Sequence, residues 1–158
     1  MDLPLEQFEE SLDRVNRALN HLTQVFLTQR GLSMPRYRIL RYLQSRSDVN
    51  MSEIQGSLLV CGSTLTELVD GLVRSGLVVR IRDQRDRRMV YLRLTGEGRK
   101  LYRQVLAFRC ERLKEVLAGE GAGLDSINNY LNNVYVGLKG QIAVPGGEVR
   151  RQAGQQEV

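Results

Sequence analysis

The sequence predicts a mainly α fold with a small β-hairpin wing, set between long flanking helices. Three observations carry this. Residues 77–94, LVVRIRDQRDRRMVYLRL, place a highly charged hexapeptide between two alternating, β-branched runs. Immediately before them lie two short segments with helical periodicity, parted by a glycine-containing turn. At each end of the chain, apolar residues recur at steps of three and four, the mark of a helical seam.

Composition narrows the class. At 158 residues the chain is long enough for one domain with a real core. No run approaches the ~18 apolar residues of a membrane span, so no membrane partner is expected. The start, MDLPLEQFEESLDR, is acidic and amphipathic, unlike a signal or transit peptide, and a cytoplasmic location is expected. Cys61 and Cys110 are too few and too far apart for a disulfide framework or zinc site. Both are expected to be buried packing residues. With one histidine, no phosphate-binding glycine loop and no G-x-S-x-G element, the chain does not read as an enzyme, and no cofactor or metal is expected.

The net charge of +5 is unevenly spread. Residues 1–35 carry three basic and five acidic side chains, a net −2, and residues 36–103 carry fourteen and seven, a net +7. Residues 104–158 carry six of each. A positive field confined to the middle of the chain is the footprint of a nucleic-acid surface between structural ends.

Taken in order, Leu5, Phe8, Leu12, Val15, Leu19, Leu22 and Phe26 mark a first helix of about 25 residues with a narrow apolar seam. Gly31 ends it. Ser33 is expected to cap a second helix, with Pro35 in its first turn and Ile39, Leu40 and Leu43 inward. Asn50 and Glu53 form an N-x-x-E capping box that opens a third helix. Gly62 or Ser63 opens a fourth, with Leu65, Leu68, Val69 and Leu72 inward and Ser63, Thr64, Thr66, Glu67, Asp70, Gly71 and Arg74 outward. Gly76 stops it. The hairpin follows, with strands at 77–82 and 89–94 and a tip, Asp83 to Arg88, too charged to bury. Thr95-Gly96-Glu97 starts a long helix to about Ala118. Three glycines within 119–123 make a hinge, and Leu124, Ile127, Leu131, Val134 and Leu138 mark a last helix with a second seam. Residues 144–158 lack periodicity and read as a flexible tail.

Two short helices and a turn form a helix-turn-helix, whose second helix enters the major groove. A basic hairpin directly behind it completes a winged helix-turn-helix. Guanidinium groups at a protruding tip suit phosphate oxygens.

The stretch from Leu32 to about Leu101 resembles the MarR family of transcriptional regulators. Gly31-Leu32-Ser33-Met34 leading to Ile39-Leu40, Ser52-Glu53-Ile54, and Ser63-Thr64-Leu65-Thr66 through Gly76-Leu77-Val78 are similar to its successive helices and wing start. Most specific are the D-x-x-D-R-R pattern of Asp83 to Arg88 and the L-T-x-x-G pattern of Leu94 to Gly98. The resemblance implies a single domain over 1–143. Its winged lobe spans 32–100, and its dimerisation helices lie at 1–30 and 101–143. It implies a homodimeric, sequence-specific regulator of a pseudo-palindromic double-stranded DNA operator, a repressor released by a small phenolic or amphipathic effector. Arg88 matches the arginine that enters the minor groove, and Asp86 the carboxylate that orients it.

The DNA-contacting residues expected are therefore Ser63, Thr64, Thr66 and Glu67 on the fourth helix, and Arg85, Asp86, Arg87 and Arg88 at the wing tip. Arg80, Arg82, Arg93, Arg36 and Arg38 are weaker candidates. Glu67 and Gly71 stand where family members often present basic or bulkier polar side chains. Ligand-binding candidates are His21, Tyr37 and Arg41, which would line a cleft. Two alternatives stand beside this reading. One is a thiol-based redox regulator acting through Cys61. The other is a winged-helix protein-interaction module.

Overall fold

The computed structural model describes residues 3–83, 89–118 and 123–141. Six helices and three strands follow in the order α1 (Leu3–Thr28), α2 (Met34–Gln44), β1 (Val49–Asn50), α3 (Met51–Leu58), α4 (Gly62–Arg74), β2 (Val78–Arg82), β3 (Val90–Leu94), α5 (Gly96–Leu117) and α6 (Leu124–Gln141). The chain forms two compact units, the first ending at Leu117 and the second beginning at Ala118. The expected tail at 144–158 lies outside the described residues. Among those described, no single helix is long and apolar enough to cross a membrane.

Two glycines end helices by the same device. Gly31 (φ +65°) follows α1 while the Leu32 N–H donates to the Leu27 carbonyl at 3.1 Å. Gly76 (φ +67°) follows α4 while the Leu77 N–H donates to Leu72 at 3.0 Å. Both are Schellman ends, which need a left-handed residue that glycine adopts without steric cost. The capping box at α3 forms as expected: the Asn50 side chain accepts from the Glu53 N–H at 2.9 Å, and the Glu53 carboxylate accepts from the Asn50 N–H. Ser33 differs. It occupies the N-cap position of α2, yet its hydroxyl makes no capping bond.

The sheet is antiparallel, ordered β1-β3-β2, with Val49 opposite Leu92 and Val78 opposite Leu94. β1 is a strand that the periodicity did not mark, because two residues are too few to show alternation. Val78, Leu92 and Leu94 point inward and join Ile39, Leu40, Ile54, Leu65, Val69, Leu72 and Val105 in one core. Each leucine buried there contributes about 1.5–3 kcal/mol. Phe26 of α1 meets Phe108 of α5 with ring centroids 5.0 Å apart.

The amino-terminal seam is only partly used. Phe26 and Leu27 are buried, whereas Leu5, Leu12 and Val15 are exposed. In α6 no residue is buried, and Leu124, Ile127, Leu131 and Leu138 are exposed.

The L-T-x-x-G pattern has a local explanation. The Thr95 hydroxyl donates to the Gly76 carbonyl at 2.7 Å and accepts from the Gly98 N–H at 3.0 Å, capping α5 while tying it to the start of β2. Gly98 packs so closely on the Leu77 carbonyl that a Cβ there would collide with it.

Candidate nucleic-acid interface

Helix α4 presents Ser63, Thr64, Thr66, Glu67 and Arg74 to solvent. Cys61 is its N-cap, with extended backbone (φ −71°, ψ 152°). None of the three hydroxyls caps the helix, yet each has a local partner. Thr64 Oγ1 lies 3.0 Å from Cys61 Sγ, Ser63 Oγ donates to the same sulfur at 3.9 Å, and Thr66 Oγ1 donates to the Gly62 carbonyl at 2.9 Å. A hydroxyl so engaged keeps acceptor lone pairs for a base edge.

Cys61 is exposed rather than buried, because it sits in the turn between α3 and α4, outside the core. Its hydrogen bond with the Thr64 hydroxyl, then those with the Thr64 backbone and Ser63, hold the thiol below its ordinary pKa. Cys110 is exposed as well. The core face of α5 runs through Gly98, Leu101, Tyr102, Val105 and Phe108, leaving Cys110 on an open groove of about 670 Å³ with Phe26, Arg30 and Lys114. The turn before α4 leaves Gly62 to open the helix, one of the two residues expected there. The left-handed residue of that turn is Leu59 (φ 51°), almost fully exposed.

The wing strands stand beside α4. At the base of the tip, the Asp83 N–H donates to the Met89 carbonyl at 3.0 Å. Arg85, Asp86, Arg87 and Arg88 lie outside the described residues. Of the weaker candidates, Arg80 reaches from β2 to Asp70 of α4, Nη2 to Oδ1 2.6 Å, and Arg93 pairs with Asp48 before β1. Asp70 had no assigned role, since an outward aspartate on a helix signals nothing by spacing alone. Gly71, expected outward, is buried beneath the Arg36 side chain.

Of the ligand candidates, His21 and Arg41 are exposed, while Tyr37 is buried and stacked on Tyr102 with centroids 6.4 Å apart. Burial raises the Tyr37 hydroxyl above its usual pKa, opposed by the Arg109 and Arg41 guanidinium groups. The α1–α5 groove and a 360 Å³ pocket between Arg30, Leu77 and Lys100 include none of the three. Among the described residues no cluster of metal-ligating side chains occurs.

The family model for "MarR family" matches residues 32–90, the helix-turn-helix and hairpin just described. The HTH-type transcriptional regulator FarR of Neisseria gonorrhoeae is 30% identical over 112 residues, covering 69% of this chain and 77% of FarR. The chain belongs to the MarR family. Its members are DNA-binding transcriptional regulators rather than enzymes. The fold agrees. A MarR family protein from Bacillus stearothermophilus superposes with TM-score 0.72 at 24% identity, over 89% of this chain and 97% of that one. A MepR mutant of S. aureus, solved bound to an oligodeoxyribonucleotide, superposes with TM-score 0.63 at 18% identity, over 85% and 97% of the two chains.

Proposed function

We propose that this MarR-family chain represses transcription as a homodimer on a pseudo-palindromic duplex site, with α4 in the major groove and the wing tip in the adjacent minor groove. One observation carries the reading: the polar face of α4 is open to solvent beside a hairpin whose residues 80–93 hold six arginines. Ser63, Thr64, Thr66 and Glu67 would read base edges. Arg85, Arg87 and Arg88 would bind phosphate or the narrow groove, with Asp86 orienting Arg88. The MepR mutant bound to an oligodeoxyribonucleotide supports this use of the shared fold.

The dimer is supported by the uncovered seam residues Leu5, Leu12 and Val15 of α1, and separately by the uncovered apolar residues of α6. Apolar surface of that kind calls for a partner helix. Release by a small phenolic or amphipathic effector remains part of the proposal, with His21 and Arg41 its open candidates.

Mobility shift with the DNA upstream of the chain's own coding region, competed by nonspecific duplex and by salt, tests the reading. Specific retention with a steep salt dependence supports it. Equal loss of specific and nonspecific complexes contradicts it. A second reading draws on the exposed Cys61 at the start of α4, where oxidation would displace the helix. Peroxide-dependent release that is abolished in Cys61→Ser would favour it over a ligand.

A further inference from the structure

Arg36 sits in the first turn of α2, but its guanidinium lies across α4. A Cβ placed on Gly71 would stand 2.6 Å from Arg36 Nη2, 2.8 Å from Cζ and 2.9 Å from Nε. The guanidinium therefore occupies the space a side chain at position 71 would fill. Gly71 falls four residues after Glu67 and three before Arg74, so the three share one stripe of the helix. The Arg36 charge thus enters that stripe between the exposed Glu67 and Arg74.

The seat is steric. Arg36 Nε is buried without a hydrogen-bond partner, and among the described residues no carboxylate pairs with Arg36. A guanidinium fixed by shape, with no counter-charge, keeps its Nη donors for an external anion. The need for one is plain on α4 itself. Its charged residues are Glu67, Asp70 and Arg74, a net −1 on a surface meant to approach phosphates. On the Asp70 flank, Arg80 arrives from β2. On the Gly71 flank, Arg36 arrives from α2.

We propose that Arg36, seated over Gly71, is a backbone clamp of the recognition helix and donates to a DNA phosphate at the edge of the major groove. The inference rests on the DNA-binding reading above and gives Arg36, until now only a weaker candidate, a seat and a specific role in it. It also explains a glycine that costs about 1 kcal/mol in a helix interior. Any side chain at position 71 would evict the arginine, and because the atoms met are the end of a flexible chain, eviction costs the fold little.

The test uses Arg36→Ala, Gly71→Ala and the double variant, titrated by fluorescence anisotropy across a salt series. The probe is a duplex that wild-type protein selects from a randomised pool, and thermal melting runs in parallel. Arg36→Ala is expected to weaken binding about tenfold and to lower the salt slope by about one phosphate contact. Gly71→Ala is expected to melt no lower than wild type yet to bind as weakly as Arg36→Ala. The double variant should bind no more weakly than Arg36→Ala alone. An unchanged slope in Arg36→Ala, or wild-type binding by Gly71→Ala, overturns the clamp while leaving the DNA-binding reading intact. If Arg36→Ala fails to fold, Gly71→Ala still decides. A wild-type protein that enriches no duplex overturns both.

Discussion

Arg80 on β2 and Asp70 on α4 form a salt bridge that fastens the wing to the recognition helix, Nη2 to Oδ1 2.6 Å. Arg80 shares a strand face with the buried Val78, so the pair continues the inward side of the hairpin where apolar contact ends. Both side chains are more than a third exposed, at 39% and 38%, and screening limits the pair's value to about 0.5–1 kcal/mol. A double-mutant cycle of Asp70→Ala and Arg80→Ala in urea should return a coupling of that size. No measurable coupling would mean that this pair does not fasten the wing to α4.

Gly98 and Gly96 make a matched pair within one turn of α5. A Cβ at 98 collides with the Leu77 backbone carbonyl, whereas at 96 nothing lies within 4 Å. Gly98→Ala is expected to lose about 2–3 kcal/mol, since backbone cannot step aside as a side chain can. Gly96→Ala should be neutral or slightly stabilising. Equal effects in denaturant unfolding would contradict the assigned close approach.

Asn50 and Ser33 are both N-caps by position, but of the two only Asn50 makes capping bonds. Asn50→Ala should cost about 1 kcal/mol through loss of the reciprocal box. Ser33→Ala should stay within about 0.5 kcal/mol. Melting curves of the two variants check the contrast, and a larger loss at Ser33 would refute it.

The Cys61 thiol is held below its ordinary pKa first by the Thr64 hydroxyl. The sign follows directly: a lowered pKa leaves more thiolate at neutral pH than a free cysteine has, and Thr64→Val should move the titration upward. In a Cys110→Ser background, the pH midpoint of iodoacetamide alkylation reads this shift. A midpoint unmoved by Thr64→Val would remove the hydroxyl as the cause.

The helices of the winged lobe, Gly31, Gly76 and the Asn50–Glu53 box were legible in the sequence, because glycine stops and capping pairs act over a few neighbouring residues. The wing's alternation was legible for the same reason. What was not legible depends on distant partners. β1 exists only because β3 lies beside it, Arg80 finds Asp70 only once the hairpin folds back, and Arg36 reaches Gly71 across two helices. The glycine at 71 was visible as an anomaly, but its occupant was not. Cys61 and Cys110 were misplaced because residue type alone favours burial and says nothing of which face a position falls on.

The central claim is that α4 and the wing together bind duplex DNA through phosphate and groove contacts. Its most direct test is the affinity of wild type and Arg88→Ala for a self-selected duplex and its scrambled counterpart, from about 50 to 200 mM salt. The expected result is preference for the selected duplex, a steep fall of wild-type affinity with salt, and weaker binding by a still-folded Arg88→Ala. Equal affinity for both duplexes, or an Arg88→Ala indistinguishable from wild type, would contradict it.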